Sequence, residues 1–417
     1  MTSTAERTVP DTQETLSNIK IVDVDTHLTE PADLWTSRAP SRYADRVPRI
    51  VAAQDMSGPM RESLMALGFL ASSPDSAAWV VDDVVLGPVG VGSVVNRNNE
   101  KIKGSMFLDW TENDATPAAS FVEPRLDMMN NFGIWAQIVY PNVVGFGGQN
   151  FAKVPDLDLR NLCASLWNDA MAEMQEESDG RICGMGLLPW WDIAATVREI
   201  ERIADLGLKG IITNSDPQNQ DLPDLSSSHW DPMWEACESL GLPVNFHIGS
   251  SATQRSWFGT TPWPAYENNV KLAIGSSMLQ LGNARTLANL MFSGVFDRFP
   301  AIKVVSVESG IGWIPFMLES LQYQAEEAGV EMARTVTQYF QRNMYACFWF
   351  EGGSNFLRDI MRVGEDNCMF ETDFPHPTCL FPDPLSHVGS LLQEATPALR
   401  RKVLSGNAAR VYNLNVE

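Results

Sequence analysis

The fold class that the sequence predicts is α/β, a closed (β/α)8 TIM barrel with a long insertion after its first strand. Three observations point there. Eight short apolar or β-branched runs recur along the 417 residues. Segments of helical length and patterning lie between most of them. No GxGxxG turn follows the first run, which removes the main sign of the rival open, doubly wound sheet.

In order, the runs are 19–25, 136–140, 182–187, 209–213, 243–247, 303–308, one within 344–350, and 368–372. Continuous apolar runs of this kind suit strands buried on both faces, a property of parallel sheets. Between them, 122–132 carries apolar residues at helical spacing and ends at Gly133, a residue suited to a left-handed C-terminal position. The stretch 193–206 is amphipathic and ends at Gly207. The Asp231-Pro232 pair reads as an N-cap followed by proline in the first helical position, opening a helix that Gly241 closes. Residues 1–18 read as a surface arm and 19–417 as the barrel. Residues from about 32 to 120 break the rhythm, being rich in Trp, Met, Gly and Pro. An excursion of that length is a lid, an oligomer contact or a surface loop without a catalytic role.

Composition narrows the function. The formal net charge is −22 and 44% of residues are hydrophobic. Such acidity argues against nucleic-acid and anionic-membrane partners, because phosphate contacts need clustered Lys and Arg. Six cysteines without a CxxC pair suggest neither a disulfide framework nor a zinc ribbon. The polar start and the lack of an 18-residue apolar run lead us to expect no signal peptide, no membrane span and a cytoplasmic location.

In a barrel of this type, reacting groups sit at the C-terminal ends of strands. The first run ends in Asp25 and His27, two apart and so on one face of a strand. The fifth ends in His247 and the eighth leads into Asp373. Each has a bland reading: Asp25 and Asp373 as caps, His27 and His247 as satisfied core histidines. Together the four put two carboxylates and two imidazoles at one barrel mouth, a donor set for a divalent cation. Asn142, Trp191, Asn214 and Trp313 lie just past strand ends and are candidates to contact substrate. Glu30 either orients a ligand or binds arginine. His229 and His387 read as surface or packing histidines.

The DxDxH of the first strand, NFHIG of the fifth, FSGVFDRFPAIKVVSVESGIGWIP around the sixth and ETDFPHP of the eighth resemble the amidohydrolase-related proteins. The branch in question is similar to aminocarboxymuconate semialdehyde and γ-resorcylate decarboxylases. The resemblance implies a metal-dependent enzyme acting on a small organic acid by hydrolysis or non-oxidative decarboxylation. It also implies that Glu308 replaces the family's sixth-strand acid/base histidine, and that Asp25 stands where the decarboxylases have histidine. Asp373 and Glu308 are then the candidate catalytic groups, with Glu308 and His376 as possible further metal ligands. Lys209 lies at the wrong end of its strand for a bridging carbamate. An oxygen-rich donor set moves preference from zinc towards iron or manganese, one or two ions per chain. Two alternatives follow: a dioxygen-activating hydroxylase subunit with a dinuclear Fe/Fe or Mn/Fe centre, and a non-catalytic partner subunit. A homo-oligomer, or assembly with a related subunit, is expected.

Overall fold

The structure is a computed structural model that describes residues 16, 18–67, 76–254, 263 and 265–416. Apart from Leu16 and Asn18, the expected N-terminal arm lies outside the described residues.

Eight parallel strands form the barrel: β1 (Ile21–His27), β2 (Ile134–Tyr140), β3 (Ile182–Gly184, continued by Gly186–Leu187), β4 (Ile211–Ile212), β5 (Val244–His247), β6 (Val304–Val307), β7 (Met344–Phe348) and β8 (Cys368–Phe370). Each pairs in parallel with the next. Two irregular seams complete the ring. At Met185, β3 changes partner: Met185 N–H donates to Val139 O and Gly186 N–H to Gly210 O, both at 2.9 Å. Between the last strand and the first, Thr26 bridges Phe374 in parallel. There His27 N–H donates to Phe374 O at 2.7 Å and Asp373 N–H to Asp25 O at 2.9 Å.

The strands are almost wholly buried, as their apolar runs require. Two end at a different residue from the sequence expectation for a visible reason. β1 continues to His27 because its end pairs with both β2 and Phe374. β8 stops at Phe370 because Thr372 gives its N–H to the Asp23 side chain instead of to a neighbouring strand. Helix Val122–Phe132 ends on Gly133 at φ 68°, a left-handed conformation that glycine adopts without steric cost. Helix Asp231–Leu240 ends the same way at Gly241. At its start the expectation needs correcting: Asp231 is itself helical, not the cap, and its carboxylate pairs with Arg298 at 3.0 Å.

The segment between β1 and helix Val122–Phe132 holds a three-stranded antiparallel sheet (Arg49–Val51, Ala78–Val81, Val84–Pro88) and helix Gly58–Met65. Side chains alternate across that sheet. Ala78 and Val80 join Met60 and Leu64 in a small separate cluster. Trp79 and Val81 point the other way, into the main core with Trp35 and Phe107. The insertion therefore shares the barrel's core. Among the described residues no helix is long and apolar enough to cross a membrane.

Candidate metal centre

Strand alternation places Asp23, Asp25 and His27 on one face of β1, all fully buried. β5 contributes His247 at its last residue, also fully buried. Glu308 and Asp373 follow the ends of β6 and β8 at φ 52° and 57°. This left-handed backbone, sparsely populated for residues other than glycine, recurs at functional sites.

The four residues that the strand ends singled out meet. His27 Nε2 lies 3.5 Å from Asp25 Oδ1 and 3.7 Å from Asp373 Oδ1. His247 Nε2 lies 3.5 Å from Asp25 Oδ1 and 3.3 Å from Glu308 Oε2. His376 stacks on His27 with ring centroids 3.6 Å apart, and its Nδ1 is 3.1 Å from Asp373 Oδ1. Donor atoms of Asp25, His27, His247 and Glu308 all lie within 4.8 Å of one another, as do those of His27, Glu308, Asp373 and His376.

Hydrogen bonds fix the imidazole tautomers. His27 Nδ1 faces Pro141 O at 3.3 Å and His247 Nδ1 faces Ile248 O at 2.8 Å. A carbonyl only accepts, so each Nδ1 carries the proton and each Nε2 of the neutral ring presents a lone pair. Those two Nε2 atoms are 3.0 Å apart. Two lone pairs at that distance repel unless a cation or a proton lies between them. Burial holds the His27 pKa well below its ordinary value, which disfavours a proton on that ring. For His376, Asn142 Nδ2 donates to Leu28 O, so Asn142 Oδ1 accepts from His376 Nε2 at 2.6 Å. That leaves Nδ1 of His376 facing Asp373. Both oxygens of Asp25 and Oδ1 of Asp373 are buried without a hydrogen-bond partner. Buried polar atoms are ordinarily satisfied. Unpartnered carboxylate oxygens beside converging imidazole lone pairs fit a divalent cation.

The electrostatics agree. Burial, then the charges of Asp373, Asp25 and Glu371, hold the Glu308 carboxyl well above its usual range. Burial, then Asp25 and Asp373, do the same to Glu371. Burial raises Asp25 against the pull of His247. Asp23 is pushed up to about 7 by burial, opposed by hydrogen bonds from Thr372 and Gln137. Without positive charge this is a set of mutually repelling carboxylates. A cation at the centre reverses that balance.

A cavity of about 420 Å³ adjoins the cluster, lined at one end by Glu308, His376 and Thr378. Asp25, His27, His247 and Asp373 lie behind its surface, whereas Asn142 is on the wall. Trp79, Leu86, Val89 and Phe107 of the insertion form much of the apolar wall. Phe146 lines it too and packs against the rings of His27 and His247 at 5.0 and 4.3 Å.

Three expected pocket residues are not among the described lining and need correcting. The Trp191 indole is spent on Asn161 and on the Arg160 guanidinium. Asn214 turns its side chain back to accept from Asp216 N–H at 2.8 Å. Trp313 donates to Ser309 O at 2.8 Å. Among the described residues Glu30 pairs with no arginine; its Oε1 accepts from Asn142 and Val143 N–H at 2.7 and 2.9 Å, which anchors the backbone at the residue that orients His376. Lys209 precedes β4, away from the mouth. His229 packs on Trp230 and His387 has a buried, unpartnered Nε2; neither belongs to the cluster.

Several residues escaped the sequence reading. Asp23 carried a signal, two positions before Asp25 and so on the same face of β1, and Glu371 a weaker one, as a carboxylate directly after β8. Thr378, which donates to Asp373 Oδ2, and Phe146 sit in loops whose course no periodicity reveals. Arg125 is fully buried on a helix and donates to Ala118 O and to His27 O behind the cluster.

The profile of the amidohydrolase family matches residues 22–414. The chain is 27% identical over 327 residues to 2-amino-3-carboxymuconate-6-semialdehyde decarboxylase of Dictyostelium discoideum, covering 75% of this chain and 81% of that one. It is 25% identical over 309 residues to γ-resorcylate decarboxylase of a Polaromonas strain, covering 70% and 87%. Among solved structures, an amidohydrolase of Mycobacterium avium subsp. paratuberculosis superposes with a TM-score of 0.71 over 96% of this chain and 99% of that one, at 18% identity.

Proposed function

This chain belongs to the amidohydrolase family, and from that membership and its donor cluster we propose that it is a metal-dependent, non-oxidative decarboxylase of a small organic acid with an aromatic or otherwise unsaturated frame. The observation that carries the reading is the facing pair of imidazole lone pairs, with unpartnered carboxylate oxygens beside them, next to an apolar cavity. Asp25, His27, His247 and Asp373 would hold the cation, with His376 beside them as a further donor. The carboxylate-rich set favours manganese or iron over zinc. When bound, the ion supplies Lewis acidity, polarising an oxygen of the substrate.

The chain's own residues supply the rest. Decarboxylation breaks the C–C bond to the carboxylate; carbon dioxide leaves, and the electron pair remains on carbon, which must take a proton. Glu308 is the cluster carboxylate on the cavity surface, a position from which its protonated form can deliver that proton. We assign it the role of acid. Asn142 fixes the His376 ring, and Phe146 covers the histidines and keeps water from them. Arg97 is the single Lys or Arg among the described lining residues. It lies at the exposed rim, with Nη2 3.4 Å from Asn113 Oδ1. Its guanidinium suits an anionic substrate entering from solvent.

The relatives above give no support to the dioxygen-activating alternative. A non-catalytic subunit would have no need of an intact donor set beside a cavity. The test is an anaerobic assay of purified protein against a panel of hydroxybenzoic and dienoic acids. Carbon dioxide should form in equal amount with the decarboxylated acid, and a chelator should stop it. Arg97→Met should raise KM about tenfold or more with little change in kcat. A metal-loaded protein that releases no carbon dioxide from any of them, or only when oxygen is present, contradicts the proposal.

A further inference from the structure

The insertion reaches the loop that carries the last ligands. That loop runs from Asp373 through His376 and Thr378 to Cys379. Its internal hydrogen bonds join His376 N–H to Asp373 O at 2.8 Å, Cys379 N–H to His376 O at 3.1 Å and Leu380 N–H to Thr372 O at 3.0 Å. The carbonyls of Pro375 and Cys379 are taken by the insertion. Val94 N–H donates to Pro375 O at 2.9 Å, and the half-buried Lys101 ammonium donates to Cys379 O at 2.5 Å.

Val94 and Lys101 sit on the two arms of one hairpin. Val95 bridges Lys101 in antiparallel fashion and Ile102 N–H donates to Val94 O at 2.8 Å. The turn is stiff: Asn96 Oδ1 accepts from Asn98 and Asn99's neighbour Glu100 N–H, both at 2.9 Å. Asn99 Oδ1 accepts from Thr116 Oγ1 at 2.7 Å. A rigid element therefore grips the ligand loop at two of its carbonyls. The Lys101 contact is charge-assisted, and such bonds are shorter and stronger than neutral ones.

We propose that Lys101 is a positioning residue of the metal site, holding the loop so that Asp373 and His376 face the β1 and β5 ligands. The proposal rests on the metal-site reading above. It makes the insertion part of the site's construction, beyond a wall of the cavity. Direct partners of metal ligands typically govern affinity by about 10- to 100-fold, and Lys101, which holds the loop through Cys379 O, should act at the lower end of that range.

The experiment is chelator competition with manganese on the full chain, comparing wild type, Lys101→Met and Lys101→Arg, with thermal unfolding of each metal-free protein alongside. We expect K101M to bind manganese about tenfold or more weakly, and K101R to recover most of the loss because it keeps a cationic donor of similar reach. Lys101→Gln carries the same expectation of weakened binding if K101M does not fold. Manganese affinity within twofold of wild type in K101M or K101Q, with only the unfolding temperature lowered, overturns the proposal. A wild type that binds no divalent ion fails the metal-site reading itself, a separate outcome.

Discussion

At the scale of residues, carboxylates that look alike in sequence do different work. Glu308 lines the cavity while Asp25 and Asp373 lie behind it. Glu308→Gln should therefore lower kcat by about 10²- to 10⁴-fold and leave metal content unchanged; steady-state kinetics with elemental analysis checks this. Equal loss of metal would make Glu308 a ligand first. Glu30 offers a test through pH. Burial pushes its carboxyl from 4.5 up to about 7, against the pull of two backbone N–H groups. Its folded pKa is raised, so between those values the folded chain keeps a proton that the unfolded chain releases. Its contribution to stability is greatest at low pH, falls as pH rises through that window and then levels off. Glutamine has no proton to lose and keeps an oxygen for both amides. Glu30→Gln should remove this slope and be more stable than wild type above pH 7 by about 2–3 kcal/mol, read from urea unfolding at several pH values. An unchanged slope refutes the assignment.

At the scale of elements, the site depends on loops that leave the strands in constrained paths. The loop after β2 returns over the mouth to set Phe146 on the histidines, and at Gly147 it passes close against the backbone of two other loops. A Cβ there would stand 2.7 Å from Thr213 O and 2.8 Å from Ser250 O, backbone atoms just past β4 and β5. Gly147→Ala should cost about 1–3 kcal/mol, seen as a lower urea midpoint with an unchanged m-value, and should lower kcat as Phe146 shifts. A wild-type midpoint would mean that the loop yields freely.

These loops also mark where the sequence stops being readable. The strands were legible because burial on both faces writes continuous apolar runs, and the residues ending them followed from their position. Strand-face alternation carries a signal for Asp23 as well, two positions before Asp25, although the reading of strand ends passed it over. Trp191, Asn214 and Trp313 were misplaced because a position past a strand end does not say which way a side chain turns. Each found a nearer partner in its own surroundings. Phe146, Thr378 and Lys101 owe their places to tertiary contacts that leave no local pattern.

At the scale of the whole molecule, a chain with net charge −22 concentrates Asp23, Asp25, Glu308, Glu371 and Asp373 inside one barrel mouth. Arg125, buried behind His27, is the cation that the fold itself provides there. Such an arrangement is costly unless further positive charge arrives. Metal should then be a condition of stability as well as of chemistry, and its removal should lower the unfolding temperature. The insertion belongs to the same economy of charge and packing, since it walls the cavity and grips the loop bearing Asp373. The most direct measurement is the metal content of protein purified without added metal, wild type beside the double variant Asp25→Asn, His247→Asn. Wild-type protein should hold at least one tightly bound divalent ion per chain, manganese or iron ahead of zinc, and a variant that remains folded by circular dichroism should hold none. Wild-type protein active with no divalent ion, or a variant that retains the full metal content, contradicts the proposed metal site.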